Sequence, residues 1–195
     1  MLDQITAEVA QQDLRYLAGF VVVAALVAAR LYYGGERFNR IAWQPIRVFA
    51  LPLLDKLAKR SLGDDWFAVY DVDDDELVAI INVPPEYIVE DLEAAGFIPE
   101  PLAALKADWT GRTEVASYAY HHGPKPFPGA PEWLRERQVH VTLFERGEGR
   151  STAITAHDEF NSWRPDLWEA HYNGIDYRIE EGVERTAELL GLNHE

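Results

Sequence analysis

From Tyr16 to Ala29 the chain reads YLAGFVVVAALVAA, fourteen residues without a charge. Continuing through Arg30 to Tyr33 makes eighteen residues. At 1.5 Å per residue that is about 27 Å of helix, close to the roughly 30 Å hydrocarbon core of a bilayer. A helix lying on a soluble core keeps one polar face, and Gly19 to Ala29 offers none. Tyr16 at one end and Tyr32 and Tyr33 at the other fall where interfacial aromatics belong, and Arg30 can snorkel to the headgroups. A cleaved signal peptide would carry basic residues ahead of its apolar stretch, whereas acidic ones precede this run. Residues 1–15 carry a net charge of −2 and residues 30–60 a net of +5. Positive charge after the span places the C-terminal side in the cytoplasm. The expectation is a single-pass transmembrane helix over 16–33, after an acidic segment, 1–15.

The next stretch, 34–60, reads as a basic, Pro-kinked juxtamembrane segment. Its Ile41–Leu57 part is apolar but interrupted by Pro45, Arg47, Pro52, Asp55 and Lys56. A second crossing would bury Arg47 in mid-membrane, which is costly. Two placements remain open. The segment lies on the membrane with Trp43, Phe49 and Leu53 dipping inward, or it packs on the folded domain.

Charge constrains the rest. Acidic residues number 33 against 18 basic ones, a formal net of −15, which leaves −18 on residues 61–195. Such a surface is a poor match for phosphate backbones, so no nucleic-acid partner is expected. Only four lysines stand against fourteen arginines. This acidic, lysine-poor composition resembles that of proteins adapted to molar salt, where a Debye length of roughly 3 Å screens self-repulsion. The absence of cysteine excludes disulfides, thiolate metal sites and cysteine nucleophiles.

Residues 61–195 read as an acidic cytoplasmic α+β domain, an antiparallel sheet of about five strands with two helices. Trp66–Val72 and Leu77–Val83 are expected as strands joined at the acidic turn Asp73–Glu76, with Thr113–His121 as a third. Helices are expected to open at Pro84-Pro85-Glu86 and end at Gly96, and to run from about Ile179 to Leu190, with a short helical segment around Pro101–Lys106. The proline-rich stretch from Gly123 to Pro131 is a loop. The acidic turn matches a calcium loop in composition only, lacking the glycine and distant glutamate that an EF-hand needs.

Val139–Glu145 and Ser151–Phe160 form the clearest hairpin. In the first strand Val139, Val141 and Leu143 are apolar, and in the second Ile154, Ala156 and Phe160. Both sets face one core only if paired positions sum to an odd number, because side chains alternate with period two. A two-residue turn at Glu148-Gly149 satisfies this. It sets His140 opposite His157 and Thr142 opposite Thr155 on the other face. These four are the candidate catalytic residues if the chain is an enzyme.

His140-Val141-Thr142, within HVTLF, resembles one half-motif of the 2H phosphoesterases. That resemblance implies histidines acting as acid and base on a phosphate ester, with threonines holding the phosphate; the second half reads His157-Asp158-Glu159. Alternatively His157-Asp158-Glu159 with His171 could supply two histidines and one carboxylate to a metal such as non-haem iron. No metal and no cofactor is assigned. Trp163, Arg164, Trp168 and His171 are candidate binding residues, in a loop of the composition enriched at protein contacts. The Walker loop, the nucleophile elbow, the zincin helix and the dinucleotide fingerprint are absent.

The layout suits a membrane-anchored interaction or structural subunit of a membrane-associated assembly. An envelope or particle protein of a salt-adapted microbe or its virus would have this layout. Its partners would be membrane lipid together with other proteins or a second copy of the chain. The alternative is a membrane-tethered hydrolase, phosphoesterase-like, using His140 and His157. The charge excess makes a first prediction: the melting temperature of the folded domain climbs steadily between about 0.1 M and 2 M salt as screening shortens the Debye length. Thermal melts in a salt series check it, and a flat profile would mean that the charges are locally paired.

Overall fold

In the computed structural model the structure describes residues 44–62, 69–100 and 103–192. The expected span at 16–33, its flank 1–15 and Trp43 lie outside the described residues. Among those described, no helix is long and apolar enough to cross a membrane.

The elements run in the order α1 (Gln44–Leu62), β1 (Val69–Asp71), β2 (Leu77–Ile81), α2 (Pro85–Ala94), β3 (Ile98–Pro99), β4 (Leu105–Ala107), β5 (Ala116–His122), β6 (Arg137–Arg146), β7 (Ser151–Phe160), α3 (Trp168–Tyr172) and α4 (Ile179–Leu189). Five strands form one antiparallel sheet in the order β2-β7-β6-β5-β3, and β1 pairs with β4 in a separate parallel ribbon. The α+β class and the five-stranded antiparallel sheet are as the sequence implies; among the described residues three α-helices, α2, α3 and α4, lie within 61–195, where two were expected.

The central hairpin has the odd-sum register: Val141 pairs with Ala156, Leu143 with Ile154, His140 with His157 and Thr142 with Thr155. Its turn places Glu148 at φ 58° and Gly149 at φ 80°, and the Arg150 N–H donates to the Gly147 carbonyl at 3.4 Å. Two positive-φ residues make a type I′ turn, whose twist matches the strands it joins. Val139, Val141, Leu143, Ile154 and Ala156 then form the core with Tyr118, Phe97, Ile88, Val89 and Leu92 of α2, and Ala187 of α4. The other face of the hairpin is buried as well. Phe144 and Ala153 on it pack under Val72, Tyr70 and Leu77, next to the β1–β4 ribbon.

Three expectations are corrected. β1 and β2 do not pair as a hairpin; between them Asp74–Glu76 forms a 3-10 turn that sends β1 to the ribbon and β2 to the sheet. The end of the segment expected as helix around Pro101–Lys106 is strand β4, held by its ladder to β1. The domain also starts before residue 61. Arg47 of α1 is buried, pairs with Glu114 at 2.7 Å and donates to the Ala103 and Ala104 carbonyls, so α1 belongs to the domain.

β2 begins opposite Thr155 and runs toward Thr152, which leaves the β7 edge beyond Thr155 open. Arg178 fills it, exchanging two backbone hydrogen bonds with Asp158 at 2.8 and 2.9 Å, and α4 begins at the next residue. That start presses α4 onto the strand: a methyl on Gly182 would sit 2.3 Å from the Cα and carbonyl carbon of His157. Gly182→Ala should therefore destabilise the domain by about 1–2 kcal/mol, an overpacking cost of about 2–3 kcal/mol outweighing a helix-propensity gain of about 1 kcal/mol. Denaturant unfolding measures it, and unchanged stability would mean that α4 is free to move off β7.

Candidate functional site

Alternation along β6 and β7 puts His140, Thr142, His157, Thr155, Gln138 and Glu159 on the face away from the apolar core. All six are buried. The two imidazoles stand edge to face, ring centroids 5.2 Å apart. Glu159 lies between them and His171: its carboxylate is 3.4 Å from His140 Nδ1, 3.6 Å from His157 Nε2 and 3.3 Å from His171 Nδ1. Gln138, directly across the ladder, donates to Glu159 Oε1 at 2.8 Å.

The outward ring nitrogens are also held. His140 Nε2 bonds Ser117 Oγ of β5 at 2.7 Å. His157 Nδ1 bonds Glu76 Oε2 at 2.7 Å, and Tyr177, tilted over the His157 ring at a centroid distance of 4.4 Å, donates from its hydroxyl to Glu76 Oε1 at 3.0 Å. Lys106 of β4 adds a positive charge that acts on both Glu76 and His140.

Burial sets the ionisation. Desolvation, with help from Lys106 and His157, pushes His140 down to about 3, so its imidazole is neutral at pH 7. Burial by itself would raise Glu159, but the charge and hydrogen bonding of His157, His140 and His171 outweigh it and hold the carboxyl well below its usual range. Glu76 is likewise lowered against its burial by His157, Lys106 and Tyr177. Tyr177 is raised by desolvation and by the Glu76 charge, and stays a donor.

The structure thus brings His140, Thr142, Thr155 and His157 together on one face. The threonines are also buried, and Thr155 Oγ1 donates to the Thr142 carbonyl at 3.4 Å. Of the loop candidates His171 alone reaches this cluster, and its Nδ1 also donates to the Phe160 carbonyl at 2.8 Å. Trp163 donates instead to Glu100 at 2.8 Å, Arg164 pairs with Asp166, and Trp168 is half-exposed with its indole on the Ser162 carbonyl. Glu76, Ser117, Tyr177 and Gln138 were missed by sequence reasoning. Gln138 carried a signal, since the register sets it opposite Glu159. Glu76 carried none, being the last residue of an acidic run that reads as a solvated turn.

No family model matches the chain, and neither does any curated protein or solved structure.

Glu76→Ala should cost about 3–5 kcal/mol, because it strands a buried imidazole and a buried hydroxyl together. Asp74→Ala and Asp75→Ala, exposed in the same turn, should stay within about 0.5 kcal/mol. Chemical denaturation of the three variants separates the buried glutamate from its solvated neighbours; equal effects would remove Glu76 from the cluster.

Proposed function

We propose that this chain is a membrane-anchored interaction or structural subunit of a salt-adapted assembly, with its folded domain cytoplasmic and resting on an anionic lipid surface through α1. One observation carries this reading. On α1 Phe49 is 81% and Leu53 54% exposed, and Lys56 and Arg60 are exposed along the same stripe, at spacings of four, three and four residues. Arg47 points the opposite way, into the domain. Two apolar side chains continued by two cations on one helical stripe suit insertion among acyl chains with the charges at lipid phosphates. The stripe lies shortly after the uncharged 16–33 run, the proposed anchor. Half-exposed Trp133 and Trp168 with exposed Tyr172 and Ile175 support a further contact with a protein partner or a second copy.

A second reading, a membrane-tethered hydrolase, is favoured by a different observation: His140 and His157 are buried beside two carboxylates instead of lying on a solvated sheet face. The half-motif resemblance adds phosphate esters as the substrate class.

The lipid contact is tested on the full chain, which has no native cysteine. Leu53→Cys and Glu184→Cys each accept one environment-sensitive fluorophore. In vesicles containing anionic lipid, the Leu53 probe should be quenched by nitroxide-labelled acyl chains and the Glu184 probe on α4 should not. Equal quenching at the two sites, or none, would overturn the docked orientation.

A further inference from the structure

We propose that His140, His157 and Glu159 together bind one divalent transition-metal ion. The site shares its residues with the hydrolase reading and depends on no turnover.

Distances inside the cluster differ from those of the three hydrogen bonds that brace it. The contacts that hold it from outside, Ser117 to His140, Glu76 to His157 and Gln138 to Glu159, measure 2.7, 2.7 and 2.8 Å, ordinary hydrogen bonds. The contacts inside it are longer: His140 Nδ1 to Glu159 Oε1 is 3.4 Å and His157 Nε2 to Glu159 Oε2 is 3.6 Å. Charge-assisted hydrogen bonds draw in to about 2.7–2.9 Å when nothing separates the partners. Two donor atoms each about 2.1 Å from a tetrahedral ion sit about 3.4 Å apart. The two contacts go to different oxygens of Glu159, each near the spacing of two ligands that share an ion, and one donor atom from each of the three residues falls within 4.8 Å of the others.

Orientation agrees with distance. Each imidazole has one nitrogen fixed by a partner outside the cluster and the other turned inward. His157 Nδ1 on Glu76, with Glu76 in turn on Tyr177, is the carboxylate–histidine pairing that orients a metal ligand and raises its basicity. Ser117 fixes His140 in the same sense, and Gln138 fixes Glu159. The carboxylates Glu76 and Glu159 supply negative charge in a buried space where Lys106 is the lysine that acts on the cluster. Two imidazoles and one carboxylate are a donor set used for zinc and for ferrous iron, and three ligands leave at least one coordination position for water or substrate. His171, whose Nδ1 is engaged by the Phe160 carbonyl, stands beside the set and outside it.

The experiment uses the full chain in detergent, stripped with a chelator and dialysed, then titrated with ZnCl2 and separately with CoCl2. Expected are one saturable equivalent of either metal, visible d–d bands from bound cobalt, and a rise in melting temperature with added metal. Glu159→Gln, which keeps the side chain's shape, and His157→Ala should each weaken binding by more than about 100-fold, and Glu76→Gln by about 10–100-fold, the range for a residue that orients a ligand from behind. His171→Ala should bind within a few-fold of the unaltered chain. If His157→Ala fails to fold, Glu159→Gln, checked by circular dichroism, carries the test. Absence of saturable binding to the unaltered chain overturns the site, and so does binding undiminished in Glu159→Gln. One bound equivalent with no esterase turnover supports the site and removes the hydrolase reading. Turnover in the stripped chain together with no saturable binding removes the site and leaves that reading standing.

Discussion

A carboxylate taken out of water has to be given partners, and the β6–β7 hairpin takes Glu159 out of water with two imidazoles beside it. Much of the rest of the fold answers that constraint. Both faces of the hairpin are covered, one by α2 and α4 and the other partly by the β1–β4 ribbon, so the polar face has little solvent to fall back on. Its imidazoles are held from outside the hairpin: by Ser117 from β5 and by Glu76 from the turn before β2, with Tyr177 from the segment before α4 behind Glu76. A hairpin with this face left bare would expose its histidines and threonines at little cost. Covering it makes every partner necessary, because a half-satisfied buried network is worse than an apolar one.

These partners come from far along the chain. Glu76 and His157 are 81 residues apart, and Tyr177 and Glu76 101. Such contacts form only when the domain as a whole has closed, since loop closure has to be offset before distant contacts can repay it. The short β2 matters here. By beginning only opposite Thr155 it leaves an edge of β7 to which Arg178 is hydrogen-bonded, and that bridge holds Tyr177 over His157. Gly182 then lets α4 lie against the backbone of the same residue. One histidine is thus gripped by its ring, its hydrogen bond and its main chain.

Arg47 does for α1 what Glu76 does for the hairpin. Its buried pair with Glu114 contributes little net stability, because desolvating both ions offsets much of their attraction. Removing either partner would still be severe, so the pair acts as a pin that sets which side of α1 faces the domain. The stripe of Phe49, Leu53, Lys56 and Arg60 is exposed as a consequence. Of the two placements left open for this segment, packing on the domain is the one the structure shows: the helix lies on the domain by one side and presents the other outward.

The pairing of the central hairpin was legible in the sequence, because apolar alternation has period two and one odd register alone buries both apolar sets. That arithmetic is enough to place His140 against His157 and Thr142 against Thr155, and the glycine at the turn agrees with it. The terminal helix and α2 were legible for a similar reason, a single apolar stripe with clear stops. Local pattern could not say that the polar face would be covered, since a strand's alternation reports which residues share a side and never what lies opposite that side. For the same reason Glu76 read as solvent-facing, β1 and β2 read as a hairpin, and the segment before Lys106 read as helix. Each of those outcomes was decided by a partner distant in sequence: His157 for Glu76, β4 for β1, and β7 for β2. The sequence by itself determined the register of the site, and only the tertiary structure decided its burial and its ring of partners, because burial belongs to the whole packed chain and periodicity to one strand.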